Sequence, residues 1–300
     1  MLRAYAARPR RTPAYAGGVV EQRAGRRAEQ GDEQRVVDRL RAAGCVFAED
    51  EARLIVEASA GSEREAMVRR RVAGEPLEQV LGWASFDGLR VPVVPGVFVP
   101  RRRTELLVDV ADALLDGTGA GAPVRRGAPV RPVVVELCCG VAAVSAALLH
   151  RRPGLDLVAA DLDPAAVARA RLTLGDRASV LEGDLFRPLP PRLLGRVDVL
   201  VANAPYVPTG VIATMPPEAR LHESALALDG GADGLDLHRR IAGEARAWLA
   251  PGGSLLVETS EAQADATEAL LAAAGLVTRV HRDDDRDATV VAGRAEARVG

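Results

Sequence analysis

Two hydrogen-bond acceptors and an aromatic ring stand close together in the segment Asn203-Ala204-Pro205-Tyr206. The side-chain carbonyl of Asn203 is one acceptor. Because Ala204 precedes a proline, its backbone is extended, which can point its carbonyl outward as the second acceptor. Tyr206 offers a flat apolar face to a planar group. The set fits a planar NH₂ group whose nitrogen lone pair is to be directed at an electrophile, so we expect chemistry on an amide or amino nitrogen.

The segment from Glu136 to Ala142 reads as a tight turn between a buried strand and a helix. Its residues Cys138, Gly140 and Ala142 are small, so backbone N–H groups could approach a nucleoside-type ligand closely. Such a turn also occurs in doubly wound domains without any ligand. On this segment alone the two interpretations have equal weight.

Acidic residues follow the next two predicted strands. Asp161 lies 21 residues after Gly140, where a carboxylate can accept hydrogen bonds from both ribose hydroxyls of a nucleoside. Asp163 precedes a proline at a predicted helix start, so we assign it the N-cap of that helix. Asp184 could accept a hydrogen bond from an adenine amino group while Leu185 covers the ring, although a solvated turn explains this pair equally well.

Strands and helices alternate along the part of the chain that carries these residues. Seven segments have strand character: 133–137, 155–161, 179–182, 197–202, 253–259, 277–281 and 288–292. Helical patterns follow the first of these and then cover 164–174, 238–249 and 262–274. The alternation predicts an α/β fold with a doubly wound, mostly parallel sheet, in which the final hairpin places one antiparallel strand. Ligands bind beyond the carboxyl ends of such strands.

The rest of the chain predicts a second domain and two irregular segments. Residues 32–82 have helical periodicity, and residues 83–104 hold β-forming residues broken by glycine and proline, which predicts a linking β-hairpin. Thr104 stands where an N-cap would precede the next helix. Residues 117–132 predict a flexible loop, and residues 1–31 a disordered tail or a start site placed too far upstream.

Composition restricts the class of protein. The chain is 48% hydrophobic and 27% charged, all 39 of its basic residues are arginine, and its net charge of −2 gives no general attraction to nucleic acid. Its three cysteines form neither a disulfide framework nor a metal-binding C-x-x-C pair, so we expect a cytoplasmic protein without a metal. No apolar run approaches the roughly 18 residues that a membrane span needs.

The chain resembles the family of protein-glutamine N5-methyltransferases that modify peptide chain release factors. The resemblance extends over residues 33–293 and rests on the four strand ends above. Its most specific part is the connecting stretch, which includes Glu75-Pro76-Leu77, Pro95-Gly96-Val97-Phe98-Val99-Pro100-Arg101 and Thr104-Glu105-Leu106-Leu107. It implies a class I, Rossmann-like methyltransferase domain with a seven-stranded sheet over residues 105–300, and a substrate-recognition role for residues 32–82.

The resemblance also implies a role for each matching residue. In that family the tetrapeptide is Asn-Pro-Pro-Tyr and holds the glutamine amide, so the catalytic segment would be Asn203, Ala204, Pro205 and Tyr206. The family's acid and Gly-x-Gly-x-Gly motif corresponds to Glu136 and the three small residues of the turn. The cofactor, S-adenosyl-L-methionine, would be bound by the residues that match its motifs: Glu136, Cys138, Gly140, Ala142, Asp161, Asp184, Leu185 and Asn203.

Two further residues, Arg101 and Glu223, would contact the substrate; Glu223 matches the acid of a Glu-Pro pair whose proline is absent here. Alanine at position 204 keeps the backbone acceptor and changes only the pocket wall. Together with the lost glycines it places the chain in a divergent branch of the family. The partner would be a protein with an exposed glutamine, either a release factor or another protein.

Two alternatives stay open. A methyltransferase for exocyclic amino groups of adenine or guanine in nucleic acid uses a similar tetrapeptide, but the charge and the absence of a recognition domain disfavour it. A cofactor-binding module without catalysis would belong to another class of protein. Retention of Asn203, Asp161 and Tyr206 argues against that module.

Overall fold

The computed structural model of this chain describes residues 31–118 and 131–296. The predicted N-terminal tail and nearly all of the predicted loop 117–132 lie outside the described residues. The chain divides after Leu77 into two compact units.

The first unit is helical, as its periodicity predicted. Residues 31–42 form α1, and α2 (Ala48–Ala58) and α3 (Gly61–Val72) follow. A buried ion pair joins the last two helices, because Arg71 donates from Nε and Nη2 to the carboxylate of Glu51 at 2.6 and 3.0 Å. The predicted role of this part of the chain in substrate recognition stays a prediction.

The second unit carries the strands. They are β1 (Trp83–Phe86), β2 (Leu89–Pro92), β3 (Val133–Leu137), β4 (Asp156–Asp161), β5 (Ser179–Glu182), β6 (Val197–Ala202), β7 (Leu249–Thr259), β8 (Leu276–Asp283) and β9 (Ala288–Ala295). The helices after α3 are α4 (Leu77–Leu81), α5 (Glu105–Thr118), α6 (Ala143–Arg151), α7 (Pro164–Leu174), α8 (Pro217–His222), α9 (Asp236–Trp248) and α10 (Ala264–Ala273).

Seven of the strands form one sheet in the order β5-β4-β3-β6-β7-β9-β8. Every neighbouring pair is parallel except those made by β9, which runs antiparallel to both β7 and β8. The predicted doubly wound, mostly parallel sheet with one antiparallel strand is therefore confirmed. Strand order reverses between β3 and β6, and a crevice for ligands opens at such a reversal.

The interior strand β3 is buried on both faces, which explains why all of its residues except Glu136 are apolar. Val134 packs into the core shared with α5, α6 and α7, whereas Val133, Val135 and Leu137 pack into the core shared with α9 and α10. A parallel strand covered by helices on both sides needs no polar alternation.

The predicted hairpin is present but shorter than the segment 83–104. Strands β1 and β2 pair from Trp83–Pro92 to Phe86–Leu89, and Asp87 and Gly88 form the turn with φ of 49° and 74°. Positive φ at both turn residues matches the twist of a two-residue hairpin. Pairing ends at Pro92, and Pro95 and Pro100 beyond it have no N–H to donate.

Candidate active site

A pocket of about 180 Å³ opens at the carboxyl ends of β3, β4, β5 and β6. It brings together most of the residues that the sequence predicted for the site: Glu136, Cys138, Gly140, Asp161, Asp184, Leu185, Asn203, Ala204, Pro205, Tyr206 and Glu223. Two predicted residues are not part of its lining. Ala142 is fully buried at the start of α6, and Arg101 reaches the pocket only through its ion pair with Glu223.

The turn after β3 keeps a glycine-type backbone without two of the family's glycines. Cys138, Gly140 and Ala142 have φ of 54°, 54° and 60°, in the left-handed region. That region costs an ordinary L-residue about 1–2 kcal/mol. Cys138 and Ala142 therefore have the same left-handed backbone conformation as Gly140, and this strain lowers the stability of the fold.

The side chain of Glu136 lines the pocket, and the residue is buried. Its Oε2 accepts hydrogen bonds from the backbone N–H of Ser145, at 2.9 Å, and from the Ser145 hydroxyl. Burial raises the pKa of Glu136 to about 7, and the two bonds from Ser145 oppose that rise. A positive charge placed in the pocket would favour the ionised form.

Asp161 is held in one orientation by the backbone. Its Oδ2 accepts from the Gly140 N–H at 2.8 Å, and its Oδ1 accepts from the Asp163 N–H at 2.9 Å. Burial raises the pKa of Asp161, and both backbone bonds counter it. Each carboxylate oxygen keeps a further lone pair for a ligand. Asp163 accepts from the Ala165 N–H at 2.8 Å, which confirms that it is the N-cap of α7.

Asp184, which follows β5, differs from its prediction in one respect. The Asp184 carboxylate is already paired, because Arg240 Nη2 lies 2.8 and 2.7 Å from its two oxygens. Arg240 lies on α9, also lines the pocket, and could not be linked to Asp184 from a sequence separation of 56 residues. Leu185 is buried, lines the pocket and has a left-handed φ of 49°.

The side chain of Asn203 is held by Thr104, which the sequence pattern had predicted to be a helix N-cap. Asn203 Nδ2 donates to Thr104 Oγ1 at 3.2 Å. Thr104 ends a short 3-10 turn, Arg102–Thr104, that leads directly into α5. Its hydroxyl thus belongs to the site, and the N-cap prediction for it was wrong.

Sequence reasoning missed two further residues around Tyr206. The Tyr206 hydroxyl donates to Glu258 Oε1 at 3.3 Å, and Arg103 Nε lies 3.3 Å from the same oxygen. The Arg103 guanidinium carbon also lies 6.0 Å from the centroid of the Tyr206 ring. Burial raises the pKa of Glu258, whereas the Thr104 hydroxyl, Arg103 and Tyr206 act in the opposite direction. An acid and a base so far from Tyr206 in the chain leave no local signal in the sequence.

The two residues predicted to contact substrate pair with each other. Arg101 forms an ion pair with Glu223, and Glu223 Oε1 also accepts from the Val99 N–H at 3.3 Å. Burial raises the pKa of Glu223, and the Arg101 charge opposes that rise. Glu223 lines the pocket and is paired with Arg101, and the substrate contacts predicted for both residues stay predictions.

Known proteins are similar in sequence to this chain over more than two thirds of its length. No family model matches the chain. The release factor glutamine methyltransferase of Bradyrhizobium diazoefficiens is 37% identical over 231 residues, which are 75% of this chain and 73% of the relative. The 4-amino-L-phenylalanine/4-methylamino-L-phenylalanine methyltransferase of Streptomyces pristinaespiralis is 39% identical over 209 residues, 69% of each chain.

The extent of the match varies among relatives named release factor glutamine methyltransferase. The matched part is 66% of the protein from Geobacter sulfurreducens and 86% of the protein from Caulobacter vibrioides. Among solved structures, the hMettl16 catalytic domain in complex with a 3′UTR hairpin has a TM-score of 0.51 at 12% identity, covering 79% of this chain and 84% of that chain. This likeness shows the fold alone. No helix in the described part of the chain is long and apolar enough to cross a membrane.

The left-handed turn predicts a stability difference between two glycine substitutions. Gly140 has φ of 54°, whereas the φ of Gly154 lies outside the left-handed region, and an added Cβ meets nothing within 4 Å at either position. We expect Gly140→Ala to lower the free energy of unfolding by about 1–2 kcal/mol more than Gly154→Ala does, because only the former is forced into a strained backbone. Urea denaturation measures both variants, and equal values would contradict the description of this turn.

The buried carboxyl of Glu136 predicts a pH dependence of stability. Its pKa is about 7 in the folded chain and near 4.5 when exposed, so the folded state binds more protons between these values. Its contribution, of the order of 3 kcal/mol, is therefore present below about pH 4.5 and lost as pH rises to about 7. His238, whose pKa burial lowers to about 4, contributes with the opposite sign. The measurement is thus the difference in unfolding free energy between wild type and Glu136→Gln across this range. A difference that does not change with pH would rule out the shifted carboxyl.

Proposed function

This chain belongs to the release factor glutamine methyltransferase family, and on that basis we propose that it transfers a methyl group from S-adenosyl-L-methionine to the side-chain amide nitrogen N5 of a glutamine in a protein. Its fold is the class I, Rossmann-like methyltransferase fold. The observation that carries the proposal is the side chain of Asn203, which Thr104 holds by its NH₂ group at the pocket. That contact leaves the carbonyl oxygen of Asn203 as an acceptor for a substrate N–H.

The pocket fits the cofactor at several points. Asp161 is oriented by two backbone N–H groups and keeps lone pairs for the ribose hydroxyls. The left-handed turn from Cys138 to Ala142 brings backbone close to the pocket. Burial raises the pKa of the Cys138 thiol, so this replacement for glycine adds no charge. When bound, S-adenosyl-L-methionine would supply an electrophilic methyl group on a cationic sulfur, and a positive charge in the pocket would favour the ionised form of Glu136.

In the proposed reaction, residues of the protein make an amide nitrogen more nucleophilic. An amide lone pair is delocalised into the carbonyl, so the nitrogen attacks poorly. The Asn203 side chain and the Ala204 backbone carbonyl would each accept one of the two N–H groups, which fixes the plane of the amide and directs the lone pair toward the methyl donor. Tyr206 would pack its ring against that plane. Transfer would form the nitrogen–methyl bond as the sulfur–methyl bond breaks, which leaves a neutral thioether, and the proton that the nitrogen gives up would pass to water.

A second candidate substrate is a small aromatic amine. A relative that is 39% identical is named for methylation of 4-amino-L-phenylalanine and its 4-methylamino derivative, and the acceptors at Asn203 and Ala204 suit an aryl NH₂ as well as an amide. Ala204, where the glutamine enzymes have proline, changes the wall beside that group. The pocket chemistry is common to both substrates, so substrate identity must be measured.

The decisive experiment supplies labelled cofactor with three kinds of acceptor. These are the release factors of the host, 4-amino-L-phenylalanine, and a host lysate treated or not treated with nuclease. Mass spectrometry identifies the modified atom. We expect label on a glutamine of a protein, and label lost on nuclease treatment would establish the nucleic-acid alternative instead. Cofactor binding without transfer to any acceptor would establish the non-catalytic alternative.

Replacement of Asn203 separates the reaction from cofactor binding. We expect Asn203→Ala to lower the rate of methyl transfer by about 10²-fold or more, because one of two acceptors for the reacting group is lost. Cofactor affinity should change little, since Asp161 and the turn after β3 remain. Single-turnover transfer and calorimetry measure the two effects. Transfer by the variant at the wild-type rate would exclude Asn203 from the reaction.

Replacement of Asp161 should do the reverse. We expect Asp161→Ala to weaken cofactor binding by about 10- to 100-fold, because hydrogen bonds to a charged group contribute about 1.5–3 kcal/mol. Asp156→Ala is the matched control, since Asp156 is exposed at the opposite end of the same strand. Calorimetry with the cofactor measures both variants. Equal affinities in the two would remove Asp161 from the cofactor site.

A further inference from the structure

We propose that Gln263 is a positioning residue for methyl transfer, and that it holds the Tyr206 end of the tetrapeptide that begins at Asn203. Gln263 ends a short 3-10 turn, Glu261–Gln263, between β7 and α10. It is not part of the pocket lining, whereas Tyr206 is, so it acts on the reaction through Tyr206. The inference rests on the proposed function, because Tyr206 is the residue that would pack against the reacting amide.

The Gln263 side chain joins three segments of the chain. Its Nε2 donates to the backbone carbonyl of Tyr206 and to the backbone carbonyl of Asp233, both at 3.0 Å. Its Oε1 accepts from the Ser260 hydroxyl at 2.6 Å. Each of the two amide N–H groups therefore has a backbone partner, and the two partners are 27 residues apart in the sequence. One side chain thus ties the tetrapeptide to a later loop and to the residue that follows β7.

The partners of the Gln263 amide fix its orientation. A backbone carbonyl has no hydrogen and can only accept, so the NH₂ end of Gln263 must face the carbonyls of Tyr206 and Asp233. A flipped amide would bring three carbonyl oxygens together with no hydrogen between them. The contact involves no group that titrates, so it is made at any pH at which the protein is folded.

Two glycines allow the later loop to pack on the backbone of the tetrapeptide. Gly234 has φ of 79°, and a Cβ added there would overlap both the Tyr206 carbonyl and the Gln263 amide nitrogen. A Cβ added at Gly230 would lie 2.8 Å from the Pro205 carbonyl oxygen. Glycine is the residue that permits so close an approach of backbone to a neighbour. The loop therefore reaches the tetrapeptide directly, and Gln263 bonds to both of them.

Side chains hold the tetrapeptide at both of its ends. At one end Asn203 donates to Thr104 Oγ1 at 3.2 Å. At the other end Gln263 donates to the Tyr206 carbonyl. The Ala204 carbonyl, the second proposed acceptor, lies between these two contacts. Loss of the Gln263 contact would therefore release the Tyr206 ring and the adjoining backbone, while the turn after β3 and the acid that ends β4 keep their own hydrogen bonds.

The position of Tyr206 can be measured by fluorine-19 spectroscopy. Fluorotyrosine labelling gives three signals, because the chain has three tyrosines, and Tyr206→Phe identifies the signal of Tyr206. Gln263→Glu keeps the shape of the side chain, but its ionised form has no hydrogen to donate, and Gln263→Met keeps the length without polar atoms. We expect both variants to shift the Tyr206 signal. Thr278→Val is the matched control, since it removes a hydrogen bond of 3.0 Å between β8 and α10, and it should leave that signal in place.

Activity provides the second readout. Gln263→Glu and Gln263→Met should lower kcat/KM for the methyl acceptor by about 10- to 100-fold, as expected when a group that contacts the substrate is displaced. The dissociation constant of S-adenosyl-L-methionine, measured by calorimetry, should stay nearly unchanged. All rates are measured well below the unfolding temperature of each variant, so that a loss of stability alone does not lower them. Thr278→Val should leave kcat/KM unchanged.

The outcomes separate this inference from the proposed function. A Tyr206 signal that neither variant shifts would show that the backbone bonds of Val207 to Leu228 and Gly230 hold the segment without Gln263, and would overturn the inference. A shifted signal with wild-type kcat/KM would overturn it as well, because Gln263 would then serve the fold alone. Should Gln263→Glu fail to fold, Gln263→Met decides in the same way. A shifted signal in a protein that methylates no glutamine and no aryl amine would support the placement of Tyr206 and overturn the proposed function instead.

Discussion

The site depends on the register of three parallel strands. Leu137 at the end of β3 pairs with Ala160 of β4 on one side and with Ala202 of β6 on the other. The residues that follow, Cys138, Asp161 and Asn203, therefore leave the sheet at the same level, at the point where strand order reverses. A slip of one residue in any of these strands would turn its last side chain to the opposite face of the sheet. The continuous apolar cores on both faces fix the register and thereby the site.

Placing the site at this edge puts several carboxylates into a region of low polarity. Burial raises the pKa of Glu136, Asp161, Glu223 and Glu258, and each of them is given N–H or O–H donors or an arginine in compensation. Arginine side chains lie beside Glu223, Glu258 and Asp184, whereas Glu136 and Asp161 are held by uncharged donors. A positively charged ligand beside Glu136 or Asp161 would therefore favour their ionised forms.

Sequence patterns predicted the parts of the site that depend on local rules. The strand ends, the acid at Asp161 and the N-cap at Asp163 follow from periodicity, spacing and the proline at a helix start. The left-handed φ of Cys138 could not be predicted, because the signal for that conformation is glycine. Arg103, Arg240 and Glu258 were missed for another reason: their partners are brought together only by the tertiary fold. The same holds for Thr104, whose local pattern indicated a helix cap.

Two residues that differ from the family's motifs, Cys138 and Ala204, lie where the backbone and not the side chain has the proposed role. At Ala204 the acceptor is a carbonyl that proline and alanine both provide, and in the turn at Cys138 the requirement is a φ angle that can be met at an energetic cost. Asn203 differs, because a side-chain amide supplies both the donor that reaches Thr104 and the acceptor that the proposed reaction needs. The residues at Ala204 and Cys138 can therefore change the pocket wall and the stability of the turn without removing that side-chain acceptor.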